Sequence, residues 1–197
     1  GDGRYVSDAF VRWSPEQPFI PWCGQAPQSV PPATRAAFIN QAIGPAQASM
    51  KRYGVPASVT IAQAILESGT GASTLTRVDH SLFGMKCFGS PGPVALGCRD
   101  YATHECNTNG CWSTSASFRA YGTQAQSFAD HGLMLASLSR YDAAFAYTYQ
   151  PDKFAQALQT GGYATSKSYA KNLITLMKQY NLYRYDLKPP KPVSNAV

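Results

Sequence analysis

The sequence predicts an α+β fold, in which a mainly helical lobe and a small disulfide-stapled β-hairpin lobe form a cleft. Three observations carry this prediction. Apolar residues recur at helical spacing before residue 86 and after residue 121. Residues 86–121 instead combine short β-prone pieces with Gly, Pro and Asn, and they contain four of the five cysteines. A cleft between two such lobes is the natural place for a binding site.

The composition is that of a folded domain with a basic surface. The 197 residues are 44% hydrophobic, which is enough to bury a substantial core. No apolar run reaches the roughly 20 residues that a bilayer span needs. The 17 basic and 11 acidic side chains give a net charge of +6 without a basic block. We therefore expect an anionic partner, and the lack of an arginine-rich stripe favours an anionic cell envelope over nucleic acid. We also expect a monomer.

Residues 1–33 predict an extended arm or linker that packs on the domain. Six prolines exclude a long helix or a central strand from this stretch: Pro15, Pro18, Pro21, Pro27, Pro31 and Pro32. Four large apolar side chains are too many for a free linker: Trp13, Phe19, Ile20 and Trp22. The opening GDGRYVSD has no start Met and no apolar leader, so we expect a processed or recombinant fragment. The Pro-rich residues 187–197 predict a tail that frays.

The domain itself spans residues 34–186 and begins with a helix that Thr34 is expected to cap. Gly44 and Pro45 are expected to break or kink this helix, before a second piece ends near Tyr53. Helices return after the hairpin lobe, and the one after Thr123 carries an apolar stripe of Phe128, His131, Leu135 and Leu138. Another is predicted over residues 152–159. The last carries one apolar face formed by Tyr169, Leu173, Ile174, Met177 and Tyr180.

Residues 54–71, GVPASVTIAQAILESGTG, predict a short helix that is apolar nearly all round and ends on a carboxylate. Ser58 is the expected N-cap and Gly69 the expected C-cap of this helix. The carboxylate is Glu67. A carboxyl group at the mouth of an apolar helix is poorly solvated, which favours its protonated form and suits it to act as a general acid. The same pattern also fits a solvated residue in a last helical turn, so the helix alone leaves both interpretations open.

The cysteines of the hairpin lobe predict disulfides. The gaps between Cys87, Cys98, Cys106 and Cys111 contain no CxxC pair, which argues against a zinc ribbon. Two disulfides imply an oxidising compartment, so we expect a secreted protein that acts outside the cell or in the cell wall. Of the three possible pairings, proximity favours Cys87 with Cys98 and Cys106 with Cys111. Cys23 is left over. The strands of the lobe are expected over residues 97–103 and 112–121.

Several short motifs follow one another in a specific order. They are AILESGTG, SLFGMK, THE at 103–105, FRAY at 118–121, RY at 140–141, GYAT at 162–165 and YAKNL at 169–173. This ordered set resembles the glucosaminidase family, glycoside hydrolase family 73, which comprises peptidoglycan hydrolases of the autolysin and flagellar types. The resemblance covers residues 34–186. It implies a lysozyme-like fold and hydrolysis of the β-1,4 bond between N-acetylglucosamine and N-acetylmuramic acid in peptidoglycan glycan strands.

The resemblance also assigns roles to two acids. Glu67 lies where the family has its general acid, and Glu105 matches the second carboxylate of a TxE motif. Such hydrolysis needs a proton for the leaving oxygen and a negative group that faces the oxocarbenium ion or activates water. If the two carboxyl groups are roughly 6.5–9.5 Å apart, a water fits between them and inversion follows. If Glu105 is more remote, the 2-acetamido group of the substrate becomes the nucleophile. Asp130 and Asp100 are the alternative second acids.

The resemblance further implies a set of sugar-binding residues. Tyr163 of GYAT matches a tyrosine that lines the cleft. Phe83 and Lys86 of SLFGMK, with Tyr121 of FRAY, are candidates for a platform under the sugar rings, and packing in the core is an equal alternative for each. The chain departs from the family where Ser81 replaces the usual Asn, and also where Thr70 replaces a frequent Trp.

Two other functions remain open at this stage. A lytic transglycosylase also places a glutamate before a serine at a helix end, and it releases a 1,6-anhydro-muramic end instead of a reducing sugar. A cell-wall-binding module without catalysis would also suit the disulfides and the positive charge. No cofactor or metal is expected, because His80, His104 and His131 lack metal-ligand spacing.

Overall fold

The computed structural model describes residues 35–107 and 110–189, and it describes hairpin side chains up to residue 102 and from residue 115. It confirms a mainly helical fold with one small antiparallel sheet. The helices in the described residues are α1 Arg35–Tyr53, α2 Ala57–Ser68, α3 Thr74–Asp79, α4 Gln124–Ser137, α5 Asp142–Phe145, α6 Pro151–Thr160 and α7 Tyr169–Gln179. None of them is long and apolar enough to cross a bilayer. The expected arm over residues 1–33, the Thr34 cap, Cys23 and most of the tail lie outside this part of the chain.

Helix α1 runs through Pro45 without ending, so the expected break at Gly44 and Pro45 is wrong. Proline lacks the N–H that a helix interior needs and normally destabilises it. The helix continues because buried residues on both sides of Pro45 form one face that packs against α2 and α4. Those residues are Phe38, Ile39, Ala42, Ala46 and Met50. Tertiary packing outweighs the local preference here.

Helix α2 lies at the centre of the helical lobe. Every side chain from Ala57 to Ile65 is buried, and the helix packs against α1, α6, α7 and the 3₁₀ turn Leu182–Tyr185. Gly69 ends the helix in the left-handed conformation, with φ of 58°, and its N–H bonds to Ile65 O, which confirms the predicted C-cap.

The N-terminus of α2 is capped by a residue far along the chain. The predicted N-cap, Ser58, lies inside the first turn, and Pro56 at the N-cap provides no side-chain hydrogen bond. Asp186 takes that role, because its Oδ1 accepts from Ser58 N and its Oδ2 from Ser58 Oγ, both at 2.7 Å. The prediction that Ser58 caps the helix is therefore wrong. The Asp186 carboxylate that caps it instead also interacts favourably with the positive end of the helix dipole.

The hairpin lobe consists of β1 Gly97–Asn107 and β2 Gly110–Ala120. The strands pair antiparallel, with a register that runs from Gly97 opposite Ala120 to Asn107 opposite Gly110. A disulfide between Cys87 and Cys98 closes the loop before β1, as predicted. Residues 106 and 111 are backbone partners in the register, and their disulfide stays a prediction. The strands are longer than expected because the pairing continues to the residues beside the turn.

Two buried aspartates of the helical lobe attach the hairpin. Asp79, at the end of α3, pairs with Arg99 of β1 at 3.1 Å and accepts a hydrogen bond from the Tyr101 hydroxyl. Asp130 of α4 pairs with Arg119 of β2 at 2.8 Å. Each strand is thus held by its own ion pair, which sets how the hairpin sits on the helices.

Replacing Asp186 with alanine is expected to destabilise the domain by about 1–2 kcal/mol, because the first turn of α2 loses its capping carboxylate. Urea unfolding followed by circular dichroism measures the loss. Asp142→Ala is the matched control, since Asp142 is exposed at the start of the short helix α5. A loss for Asp186→Ala no larger than that of the control would contradict the capping role.

Candidate active site

Glu67 lies in the last turn of α2, where the buried helix reaches the surface. Its side chain is half buried, and the chain turns away through Gly69, Thr70 and Gly71, all with positive φ. Ser68 holds this turn, because its Oγ donates to Ala64 O and accepts from Gly71 N at 2.7 Å. The backbone on which the carboxylate sits is therefore fixed on both sides.

The Tyr169 hydroxyl holds the Glu67 carboxylate from behind. It donates to Glu67 Oε1 at 3.1 Å and accepts from Gln63 Nε2 at 3.0 Å. Tyr169 is the first residue of α7, and Gln63 lies one turn before Glu67 on α2. Burial and the Glu67 charge raise the pKa of Tyr169 well above 10. The hydroxyl consequently keeps its proton and stays a donor.

Tyr163 forms the next layer behind the carboxylate. Its ring stacks on that of Tyr169, with centroids 5.3 Å apart and planes at 26°. Its hydroxyl lies 3.0 Å from His131 Nε2. Burial, and after it the Glu67 charge, raises the pKa of Tyr163 well above 10. The tyrosine of the GYAT motif therefore lies beside Glu67, as a protonated side chain that is only 3% exposed.

His131 is buried and uncharged. Burial lowers its pKa from 6.5 to about 3, so the imidazole is neutral at ordinary pH. The ring stacks on Phe83 at 4.0 Å and 15°, and Phe83 meets the edge of Phe128 at 5.3 Å. The layer behind Glu67 thus continues into the core as neutral aromatic rings.

The candidate platform residues lie mostly in the core. Phe83 is 2% and Tyr121 is 4% exposed, and the Tyr121 hydroxyl donates to Asp130 Oδ2 at 2.8 Å. Such buried rings offer almost no surface to a sugar, so the structure favours packing for both. Lys86 is half buried, and its backbone bridges to Phe118 of β2. Its contact with sugar stays a prediction.

The alternative second acids lie in different environments. Asp130 is 1% exposed and bound to Arg119 and Tyr121, which leaves it to hold the hairpin. Asp100 is exposed on β1. The backbone of Glu105 lies on β1 opposite Trp112, and its side chain is outside the described part. Three or more His, Cys, Asp or Glu side chains that could hold a metal do not meet anywhere in the described residues.

Two residues depart from the family pattern, of which Thr70 lies in the turn after Glu67 and Ser81 begins the SLFGMK segment. Thr70 accepts a hydrogen bond from Arg35 Nε at 3.2 Å. Ser81 is 1% exposed and its backbone O accepts from Thr76 Oγ1 at 2.9 Å.

Sequence reasoning missed three members of this site. Gln63 could have been found from the sequence, because it is the single amide on a largely apolar helix and a buried amide needs hydrogen-bond partners. Tyr169 opens the YAKNL motif but fitted the apolar face of α7. His131 fits the apolar stripe of α4 and lacks metal-ligand spacing, so the sequence assigns it no contact with the site. The contacts join residues 32 to 106 positions apart, which spacing along the chain does not reveal.

A family model described as mannosyl-glycoprotein endo-β-N-acetylglucosaminidase matches residues 44–182. The chain belongs to the glucosaminidase family. The match covers the whole of α2, the hairpin and α7, and so Glu67 and the side chains of the layer behind it. The protein therefore carries a glycoside hydrolase domain, and its lysozyme-like architecture is that of the family.

Two similar proteins support this family assignment. The glucosaminidase domain is 34% identical over 153 residues to the peptidoglycan hydrolase FlgJ of Escherichia coli K12, covering 75% of this chain and 47% of that protein. It is 33% identical over 156 residues to the exo-glucosaminidase LytG of Bacillus subtilis, covering 76% and 52%. The chain thus spans about half the length of these relatives.

A solved structure shares the fold of the glucosaminidase domain. The catalytic domain of the autolysin Auto from Listeria monocytogenes superposes with a TM-score of 0.68 at 31% identity. The superposition covers 82% of this chain and 92% of the Listeria chain.

The domain is expected to lose stability in mild acid because His131 is buried without charge. The unfolded chain takes up this proton near pH 6.5, and the folded chain only near pH 3. The contribution of the neutral His131 to the free energy of unfolding is therefore fully present above about pH 6.5. It falls as the pH drops, by about 2 kcal/mol between pH 6.5 and 5. Urea unfolding of the wild type and of His131→Gln at pH 7 and pH 5 measures this. Equal pH dependence in both proteins would contradict it.

Proposed function

We propose that this domain hydrolyses the β-1,4 bond between N-acetylglucosamine and N-acetylmuramic acid in peptidoglycan, on the glucosamine side, with Glu67 as the general acid. The observation that supports this most is the carboxylate itself. It lies at the open end of a buried helix, with Tyr169 donating to one of its oxygens. The names of the relatives FlgJ and LytG agree with a peptidoglycan substrate and with a glucosaminidase bond preference.

The surroundings of Glu67 support proton donation. A general acid must be protonated at the working pH and must hold its proton towards the leaving oxygen. The layer of Tyr169, Tyr163 and His131 behind it contains no charge that would favour an ionised carboxylate. The loss of water from one side of a carboxyl group favours its neutral form, and the hydrogen bond from Tyr169 opposes this effect in part.

We assign the second carboxylate to Glu105 on β1. The ground for this assignment is the match of THE at 103–105 to the TxE motif of the family. The strand that carries this motif lies against the helical lobe, because Arg99 and Tyr101 of β1 both contact Asp79. Glu105 would then either activate water or orient the acetamido group of the substrate.

Other residues have supporting roles in this proposal. Tyr163 supports the site from behind the carboxylate, with its ring stacked on Tyr169 and its hydroxyl held by His131. Lys86 contacts the glycan at the base of the hairpin. The Cys87–Cys98 disulfide fits an oxidising compartment outside the cell, and the net charge of +6 fits attraction to anionic cell-wall polymers.

Replacing Glu67 with glutamine is expected to lower the rate of peptidoglycan digestion by about 10²–10⁴-fold, because an amide has no acidic proton to transfer to the leaving oxygen. Release of soluble fragments from purified peptidoglycan measures the rate, and Asp142→Asn is the control. Mass spectrometry of the wild-type products should show reducing N-acetylglucosamine ends. Anhydro-muramic ends would indicate a lytic transglycosylase, and full activity of Glu67→Gln would contradict the assignment of the acid.

Replacing Glu105 with glutamine is expected to cause a large but incomplete loss of the same activity, because the developing positive charge loses its negative partner. The anomer first formed, followed by proton NMR, distinguishes the two roles. Inversion in the wild type indicates that Glu105 activates water, and retention indicates the acetamido route. Wild-type activity of Glu105→Gln would move the role elsewhere, and Asp100 would be tested next.

A further inference from the structure

Three side chains form one hydrogen-bonded chain at the end of α2. Gln63 Nε2 donates to the Tyr169 hydroxyl at 3.0 Å, and that hydroxyl donates to Glu67 Oε1 at 3.1 Å. The direction of both bonds follows from chemistry. An amide nitrogen only donates, so it occupies an acceptor position of the tyrosine oxygen. The hydroxyl also interacts with the Tyr163 hydroxyl, but the carboxyl oxygen of Glu67 is the stronger acceptor for its single proton.

The middle member of this chain has little freedom to move. Tyr169 is 3% exposed, and its ring stacks on Tyr163, whose hydroxyl is in turn bonded to His131. Gln63 is fully buried on the most enclosed helix of the domain. The O–H bond of Tyr169 therefore keeps one orientation, and it points towards Glu67 Oε1.

Gln63 is poorly suited to a purely structural role. Its Oε1 is buried and has no hydrogen-bond partner in the described part of the chain. An unpaired buried amide oxygen destabilises a fold, and an apolar side chain of similar shape would avoid that penalty. An amide at this position is explained by what its nitrogen does, which is to fix the Tyr169 hydroxyl.

We propose that Tyr169 is a positioning residue for Glu67, and that Gln63 fixes the hydroxyl through which it acts. The hydrogen bond to Oε1 favours the acidic proton on Oε2, from which it passes to the leaving glycosidic oxygen. Without that bond, the proton is shared between the two oxygens and the carboxyl group rotates more freely. This inference rests on the proposed function, in which Glu67 is the general acid.

Tyr169→Phe tests the inference because it removes the hydroxyl and keeps the stacked ring. With soluble peptidoglycan glycan fragments as substrate, kcat is expected to fall about tenfold while KM stays within twofold, since the bond acts on proton transfer. Tyr183→Phe is the matched control. Its hydroxyl also donates to a carboxylate, Asp152 Oδ1, at 2.7 Å, and that pair is outside the site. The control should leave both constants unchanged.

The pH profile separates positioning from a structural role. Tyr163 and Tyr169 are titratable side chains that interact with Glu67, and Glu105 is the second carboxylate in the proposed function. The Tyr169 hydroxyl stabilises the ionised carboxylate more than the neutral acid. Its loss should therefore move the basic limb of the kcat/KM profile to higher pH, and Tyr183→Phe should not move it.

Gln63→Met provides a second test that does not depend on the tyrosine variant folding. It is expected to lower kcat about threefold and to leave the melting temperature unchanged or higher, because an unpaired amide oxygen is removed from the core. Folded Gln63→Met with wild-type kcat would overturn the inference. A fall in kcat that only accompanies a lower melting temperature would also overturn it, in favour of a structural role.

The double variant with Glu67→Gln separates this inference from the proposed function. If Glu67 acts through the hydrogen bond, Tyr169→Phe should have no further effect in that background. Wild-type kcat and pH profile for Tyr169→Phe, beside an inactive Glu67→Gln, would overturn the inference and leave the proposed function standing. Full activity of Glu67→Gln would overturn both.

Discussion

The burial of α2 is the constraint on which the rest of this structure depends. A helix that is apolar on all sides is stable only when other elements enclose it, and α1, α6, α7 and the turn Leu182–Tyr185 do so here. The two ends of α2 are capped in different ways. Asp186 caps the first turn, and Gly69 ends the last one in a left-handed conformation. Glu67 is consequently fixed where the core of the helical lobe meets the surface.

Two buried aspartates link the hairpin lobe to the helical lobe. Asp79 holds Arg99 and Tyr101 of β1, and Asp130 holds Arg119 of β2. Removing one partner of a buried ion pair leaves an uncompensated charge, so both pairs must form together with the fold. Because each aspartate comes from a different helix, the pairs determine the orientation of the strand that carries Glu105.

The layer behind Glu67 combines fixed polar groups with an absence of charge. Tyr169 and Tyr163 keep their protons because burial and the nearby carboxylate raise their pKa values, and burial keeps His131 neutral. The two hydroxyl groups and the imidazole keep their hydrogen bonds in a fixed orientation, and their protonation states do not change. Preorganised dipoles of this kind need no rearrangement during a reaction, which makes them a suitable support for a proton donor.

The sequence by itself determined the order of the main helices, the hairpin between them, the Cys87–Cys98 disulfide and the family, because all of these follow from local periodicity, short spacing and ordered motifs. The tertiary structure alone decided how those elements meet. Packing on both sides of Pro45 kept α1 continuous, and Asp186 replaced Ser58 as the cap of α2 from 128 positions away. The contact of Tyr169 with Gln63 joins residues 106 positions apart. Such contacts depend on how helices pack, and no local pattern records them.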